Sequence, residues 1–145
     1  MTTTTTMTTT TTATTPDYDE IVRVVQLYID GFQGDIDKFK EAFHEDAWIF
    51  FTDADGVLHK DLLTDCFERW AAANRHIEGR IISVTQAGDV ASVLLGYDNT
   101  TDPSRCFVDF HALLRINGVW KITNKTATHS SRAAWAAAQS PLARG

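Results

Sequence analysis

The sequence is poor in cysteine, and its only two, Cys66 and Cys106, match neither a metal-binding spacing nor a redox pair. We therefore expect both to be buried, reduced thiols. No apolar run approaches the roughly 20 residues of a membrane-spanning helix. Basic residues are also scarce, 13 against 19 acidic ones, and the net charge is −6 at pH 7. Nucleic acid and anionic membranes are not expected partners, because both bind cationic surfaces.

Several enzyme signatures are missing as well. The chain contains no Gly-rich phosphate-binding loop and no Ser nucleophile elbow. No spacing of His, Cys, Asp or Glu indicates a metal site. We therefore expect neither a cofactor nor a metal ion.

What is present begins with a tail. Residues 1–16 are nearly pure threonine, with neither the basic start nor the apolar centre of a secretory signal. They have nothing large to bury, so we predict a disordered tail and a cytoplasmic protein. A sugar-bearing stalk is the alternative. A single domain is predicted over 17–130, and the Ala-rich 131–145 is predicted to be a second tail, partly helical or disordered.

The first part of the domain has helical spacing. Residues 17–32 predict an amphipathic helix, and 35–43 and 61–74 predict two more, while the aromatic and β-branched WIFFT at 48–52 predicts a strand. From residue 76 onward the pattern changes to long strands. These are 76–86, 89–98, 105–116 and 119–129. Three helices followed by an antiparallel meander predict an α+β fold, with the helices packed on one face of the sheet.

An Asn-Gly pair fixes how the last two predicted strands pair. Asn117-Gly118 predicts a two-residue type I′ turn, because both central positions of that turn need positive φ. Directly paired residues share one face of the sheet. Counting from the turn gives the predicted pairs Leu113 with Ile122, His111 with Asn124, and Asp109 with Thr126.

The face that carries these pairs is predicted to lie under the helices. The opposite face has Lys121 and Lys125 on its last strand and is therefore the better candidate for exposure. Phe110 and Leu114 also lie on that opposite face. We expect these two side chains to be buried against another subunit.

His111, Asp109, Asn124 and Thr126 form a polar patch on the covered face. The Cα atoms of Asp109 and His111 are roughly 6.6 Å apart, so both side chains can reach one small molecule. A buried carboxylate costs several kcal/mol unless it is paired, so Asp109 contacts His111 or another donor, or lies in a wet cavity. Contact with His111 makes the imidazole a general base. The alternatives are a satisfied polar network that fixes register, or a register one residue off that sends all four outward.

Aromatic residues complete the candidate site. The Tyr28 hydroxyl reaches the pocket from the first helix, or Tyr28 simply packs in the core. Trp48 and Phe50 alternate with the other residues of WIFFT and are predicted to line the pocket. The predicted ligand-contacting residues are Tyr28, Trp48, Phe50, Trp120, Asn124 and Thr126.

Two stretches carry a family resemblance. GDIDKFKEAFHEDAWIFFTDADG resembles the second-helix region of the nuclear-transport-factor-2-like superfamily. FVDFHALLRINGVWKITNK is similar to the last hairpin of its SnoaL-like and "putative lumazine-binding" branches. Together the resemblance covers 17–130. It implies a cone-shaped, strongly curved antiparallel sheet around three helices, a pocket at the wide mouth, and a homodimer formed through the outer sheet face.

The resemblance also implies a class of chemistry. Enzymes of the superfamily include polyketide cyclases, ketosteroid isomerases, scytalone-type dehydratases and epoxide hydrolases, with Asp, His or Tyr acids and bases inside the cone. Asp109 and His111 occupy strand positions of that kind. The resulting hypothesis is a cofactor-independent isomerase, dehydratase or cyclase acting on a small hydrophobic, cyclic substrate. The alternatives are a non-catalytic small-molecule-binding protein and a dimeric scaffold, because a fold does not fix a function.

Overall fold

The computed structural model describes residues 15–99 and 106–130. Residues 1–14 of the predicted N-terminal tail, the predicted tail over 131–145, most of the NTTDPS connection and the side chain of Cys106 lie outside the described residues. No helix formed by the described ranges combines the length and the apolarity needed to cross a membrane.

Three α-helices and a six-stranded curved sheet make up the described part of the chain, which confirms the predicted α+β class. The helices are α1 (Tyr18–Gly31), α2 (Ile36–Ala42) and α3 (Phe67–Ala72). The strands are β1 (Phe43–Thr52), β2 (Leu58–Leu62), β3 (Ile77–Ala87), β4 (Val90–Asn99), β5 (Cys106–Ile116) and β6 (Val119–Ser130).

The sheet has the strand order β2-β1-β6-β5-β4-β3 and is not closed. Strands β3 to β6 form the predicted antiparallel meander. Strand β1 runs parallel to β6, so the sheet is mixed and the expectation of a wholly antiparallel sheet is wrong. The reason is topological, because β1 follows directly from α2 and lies between its sequence neighbour β2, with which it is antiparallel, and the last strand β6, with which it is parallel.

Helix α1 packs one face on the inside of the sheet, as its apolar spacing predicts. It comes so close to β3 that a Cβ added to Gly79 would lie 2.8 Å from Ile29 Cγ1. A side chain at Gly79 would therefore force α1 away from the sheet. The helices and the sheet share one core, whose large members include Ile21, Val24, Tyr28, Phe32, Phe39, Leu63, Phe67 and Trp70.

The helix predicted over 61–74 is shorter than expected. Residues 61 and 62 belong to β2, residues Leu63–Asp65 form a 3₁₀ turn, and α3 begins only at Phe67. Strand β2 is a five-residue edge strand whose side chains are almost all exposed, so it carries no apolar alternation. Its backbone hydrogen bonds to β1 create the strand, and those are not visible in the local sequence.

The Asn-Gly turn forms as predicted. Asn117 has φ 51° and Gly118 has φ 83°, and Leu113 pairs with Ile122. Beyond that pair a β-bulge inserts Thr123 into β6, so that Ala112 faces Asn124 rather than Thr123. The Thr123 hydroxyl donates a hydrogen bond of 3.2 Å to the carbonyl oxygen of Ala112.

Beyond the bulge, each side chain of β6 points to the face opposite to the one that strict alternation predicts. His111 pairs with Lys125 and Asp109 with Ala127, so Lys125 points inward and is only 3% exposed. Asn124 and Thr126 point to the outer face, where Thr126 is exposed and donates to the Asn124 side chain. The predicted inward positions of Asn124 and Thr126 are therefore wrong, because strict alternation was counted through a bulge.

The same register decides the faces of β1. Ile49 pairs with Lys125 and is buried, whereas Trp48 and Phe50 pair with Asn124 and Thr126 on the outer face. The Lys60 ammonium lies 4.4 Å from the centroid of the Trp48 ring on that face. The prediction that Trp48 and Phe50 line the pocket is therefore wrong, and the opposite pair of the WIFFT stretch points inward.

Candidate functional site

A cavity of about 290 Å³ opens at the end of β6 that is far from the Asn-Gly turn. This volume is at the small end of ligand pockets, which range over roughly 300–1,000 Å³. Aromatic side chains form much of its wall, and they are Phe32, Phe51, Trp70, Tyr97 and Phe107. Charged side chains also reach it, and they are Asp61, Arg69, Arg75 and Lys125.

A larger cleft of about 590 Å³ lies between α2, the start of β1 and α3. Its charged residues, which include Lys40, Glu45 and Glu68, are all partly or fully exposed. Exposed charges are solvated and need no ligand. Of the two, the smaller cavity is the better candidate site, because its wall also contains a buried charge, Lys125. Within residues 15–99 and 106–130, no three His, Cys, Asp or Glu side chains come together as a metal-binding group.

A buried ion pair lies at the floor of the cavity. The Lys125 ammonium is 3.1 Å from Asp109 Oδ2, and the side chains are 3% and 0% exposed. The ammonium also lies 5.4 Å from the centroid of the Trp70 ring and 5.7 Å from that of Tyr28. Aromatic faces and a carboxylate together compensate for the loss of water around the charge. Of the pair, Lys125 lines the cavity and Asp109 lies behind it.

Burial raises the pKa of the Asp109 carboxyl above its ordinary value. The charge of Lys125, the Tyr97 hydroxyl and the backbone amide of Thr128 oppose that rise. Neither Asp109 oxygen has a hydrogen bond of ordinary geometry within the described ranges, so the contact with Lys125 is an ion pair rather than an aligned hydrogen bond. The Asp109 carboxylate is therefore stabilised mainly by its electrostatic attraction to the Lys125 ammonium.

Two tyrosines connect the ion pair to the core. The Tyr28 hydroxyl donates to the Tyr97 hydroxyl at 3.2 Å, and both rings are buried. Burial raises the pKa of both hydroxyls well above 10, so both are neutral and Tyr97 presents a neutral hydroxyl at the cavity wall. Tyr28 itself lies behind Tyr97 and does not line the cavity.

His111 is fully buried beside this pair. Its Nε2 lies 4.0 Å from Asp109 Oδ2, which is beyond hydrogen-bond distance, and its ring centroid is 4.9 Å from that of Tyr28. Neither ring nitrogen has a hydrogen-bond partner in the described part of the chain. Burial, and then the charge of Lys125, lower the pKa of His111 well below 6.5, so the imidazole is neutral. His111 does not line the cavity.

The structure thus brings together only part of the predicted site. Asp109 and His111 are neighbours, and Tyr28 contacts the His111 ring. Trp120 is 2% exposed, lies near the Asn-Gly turn beside Arg115, and does not line the cavity. The expectation that Trp120 contacts the ligand does not match this position, because the cavity is at the other end of β6.

Sequence reasoning missed Lys125, Tyr97 and Arg75. One signal for Lys125 was present, because a fully buried carboxylate needs a cation and the adjacent strand offers this lysine. Tyr97 had no local signal, since a second register shift between Ile81 and Ser83 changes the pairing of β3 with β4. Arg75 lies in the connection between α3 and β3, where no periodicity applies.

Known proteins resemble this chain in fold and in sequence. An NTF2-like protein of unknown function from Shewanella baltica OS155 is 25% identical, with a TM-score of 0.72 over 81% of this chain and 98% of that one. Another NTF2-like protein of unknown function, from Methylobacillus flagellatus KT, is 26% identical, with a TM-score of 0.70 over 83% of this chain and 97% of that one. Among curated proteins, none matches.

A family model described as "Putative lumazine-binding" matches residues 16–127. The match starts just before α1 and ends inside β6, so it covers all three helices and nearly the whole sheet. The structural likeness to NTF2-like proteins covers the same region at close to the full length of those chains. The chain therefore belongs to the "Putative lumazine-binding" family of the NTF2-like superfamily.

Proposed function

We propose that the protein binds a small planar molecule in the 290 Å³ cavity and acts on it as a cofactor-independent acid/base enzyme of the isomerase, dehydratase or cyclase type. The observation that carries this proposal is the Lys125–Asp109 ion pair, which presents a buried ammonium to an aromatic-walled cavity. Buried charges at cavity walls are characteristic of sites where charge develops on a ligand. The family description, with lumazine as a planar two-ring compound, supports a ligand of this shape.

In this proposal the Lys125 ammonium and the Tyr97 hydroxyl both donate to an oxygen atom of the ligand. Negative charge that develops on that oxygen is stabilised by a fixed cation in a site of low dielectric constant. Asp109 keeps the ammonium in position and is the final proton acceptor, since its raised pKa makes it a stronger base than an ordinary carboxylate. It lies behind the wall, so Lys125 passes one proton to it across 3.1 Å and takes the proton that the ligand releases. His111 takes no proton in this proposal, because burial and the charge of Lys125 lower its pKa; it packs as a neutral imidazole 4.0 Å from Asp109 Oδ2.

The binding step is tested with Lys125→Met and a matched control, Lys60→Met. Lys60 is exposed and contacts Trp48 on the outer face, so its removal changes net charge equally without touching the cavity. We expect planar one- and two-ring compounds, lumazine included, to shift the amide resonances of cavity residues. Lys125→Met should weaken that binding about tenfold or more, because a hydrogen bond to a charged group contributes roughly 1.5–3 kcal/mol. Equal affinities for the two variants would contradict the proposal.

A second candidate function is binding without catalysis. It is favoured by one observation, that neither Asp109 nor His111 lines the cavity. Asp109→Asn separates the two functions, because an enzyme loses turnover when its proton acceptor is removed, whereas a binding protein has no turnover to lose. Chromatographic detection of product from a bound ligand, with the wild type beside Asp109→Asn, decides between them.

We further propose that two copies of the chain pair through the outer sheet face. Phe110, Leu114 and Val90 are 55%, 40% and 46% exposed, and Leu114 pairs directly with Val90 in the sheet. A group of apolar side chains of this size on a sheet face indicates an interaction surface. Separately, we propose that the protein is cytoplasmic.

A further inference from the structure

We propose that the ligand of this cavity is an aromatic carboxylate, whose ring lies against the aromatic wall and whose carboxylate is bound by Arg75. This inference rests on the proposed function, since it names the class of small molecule that the cavity takes. It makes the small hydrophobic, cyclic substrate expected from the sequence an acidic one.

The charge of the cavity points to an anion. Arg69, Arg75 and Lys125 line it, against a single lining carboxylate, Asp61. Even with Asp109 behind the wall, cations outnumber carboxylates by three to two, although the whole chain carries a net charge of −6. A local excess of positive charge in an acidic protein favours a negatively charged ligand.

Arg75 is the cation that is positioned to receive it. Lys125 already has Asp109, but Arg75 has no carboxylate within 4.0 Å in the described part of the chain. The backbone of Arg75 is fixed, because its amide donates to the Phe32 carbonyl oxygen at 2.9 Å. Its guanidinium carbon lies 6.0 Å from the centroid of the Phe32 ring, and the side chain is partly buried. A held guanidinium offers two parallel donors, which fit a carboxylate.

Arg75 lines the same cavity as Tyr97 and Lys125, and its guanidinium contacts the wall residue Phe32. Its charge is also the smallest of the causes that act on the pKa of the Tyr28 and Tyr97 hydroxyls, and it opposes their rise. A carboxylate on Arg75 would therefore leave the rest of the ligand near Tyr97 and Lys125.

The shape of the wall points to a flat ring. Tyr97 and Phe107 are stacked with centroids 5.1 Å apart at 21°, and Phe32 and Tyr97 are nearly parallel at 29° with centroids 6.4 Å apart. The rings of this row, Phe32, Tyr97 and Phe107, cover one another, so a flat ligand ring would pack edge-to-face against the row rather than between its members. The 290 Å³ volume suits one ring or two fused rings with a substituent.

The test uses a pair of probes that differ only in charge, 2-naphthoate and 2-naphthamide. Affinities are measured by calorimetry, and the binding site is located from the amide resonances of residues 75, 97 and 125. We expect the wild type to bind the carboxylate about tenfold or more tightly than the amide, because the added hydrogen bonds are charge-assisted. Arg75→Met should bring that ratio close to one, and Arg75→Lys, which keeps the charge but loses the fork, should keep part of it.

Arg23→Met is the matched control. Arg23 lies on α1 and is paired with Glu20 and Glu41 away from the cavity, so its loss changes net charge by the same amount. This variant should keep the wild-type ratio. An amide that binds as tightly as the carboxylate would overturn the inference and leave the proposed function standing. A preference that survives in Arg75→Met, or is lost only in Lys125→Met, would overturn the role of Arg75. Failure of both probes and of the planar compounds above to bind would overturn inference and proposed function together.

Discussion

His111 is a titratable side chain in a site that favours only its neutral form. Its ring is fully buried among Tyr28, Phe43 and the cation of Lys125, and both nitrogens lack hydrogen-bond partners among the described residues. Protonation of His111 at low pH therefore destabilises the folded state relative to the unfolded chain. A group whose folded pKa is lowered gives stability that is complete above its unfolded pKa, near 6.5, and is lost as the pH falls.

We predict that His111→Gln flattens the pH dependence of stability below pH 6.5. Wild-type unfolding free energy should fall by up to about 1.4 kcal/mol per pH unit from this residue, because the unfolded chain binds a proton that the folded chain rejects. Asp109, whose folded pKa is raised, contributes with the opposite sign in both proteins, so their difference isolates the imidazole. Urea unfolding at pH 7.5, 6.0 and 5.0 measures the effect. Parallel slopes for His111→Gln and the wild type would refute the prediction.

At the residue scale, the sequence predicts what must be buried better than it predicts what pairs with it. The physical requirement that a buried Asp109 needs a partner is correct, and the partner is Lys125 at 3.1 Å rather than His111 at 4.0 Å. The predicted partner is wrong because strict alternation places Lys125 on the outer face, whereas the bulge turns its side chain inward. The bulge that reverses it depends on the packing of three strands, which a single strand's sequence does not contain.

At the element scale, the predictable features are those decided locally. The Asn-Gly turn follows from the φ angles that two residues tolerate, and α1 follows from the spacing of its apolar residues. Strand β2 and the parallel β1–β6 pair are decided by distant partners and carry no local signal. The bulge at Thr123 belongs to this second group, and it determines which residues of β6 reach the cavity.

We predict that deleting Thr123 is tolerated better than deleting Thr126. Removal of Thr123 leaves a regular ladder in which Lys125 still faces His111, so the downstream faces are kept. Removal of Thr126 instead exchanges the faces of Ala127 and Thr128 beside the cavity. We expect losses of unfolding free energy of about 1–2 kcal/mol for the first deletion and more than about 4 kcal/mol for the second. Urea denaturation measures both, and a larger loss for the Thr123 deletion would show that the bulge itself is required for folding.

At the scale of the whole molecule, the proposed pairing of two copies through the outer sheet face gives a prediction about the oligomeric state. We predict that Phe110→Asp converts a dimer into a monomer, because it places a charge in the exposed apolar group that Phe110 forms with Leu114 and Val90. Sedimentation velocity at several concentrations measures the change. Val57→Asp, at a 56% exposed loop position, is the matched control and should stay dimeric. A wild type that sediments as a monomer at all concentrations would disprove the pairing.

The architecture as a whole was the most predictable level. When helices precede a meander of strands in the sequence, few arrangements bury the apolar faces of both the helices and the sheet. The α+β fold is one of these arrangements. The site was less predictable, because it is assembled from residues that lie far apart in the chain. Its charged wall combines the connection after α3 with strand β6, and only the folded chain brings these together.

Side chains from four elements surround one ammonium at the floor of the cavity. Trp70 of α3 and Lys125 of β6 line the floor, and Tyr28 of α1 and Asp109 of β5 lie behind it. Each of them is also part of the interior that keeps the protein folded. Selection for a new ligand therefore has little freedom there, because any replacement must first preserve foldability. We expect diverging descendants of this chain to retain the floor and to vary in the entrance, at positions such as Phe51, Arg69 and Arg75.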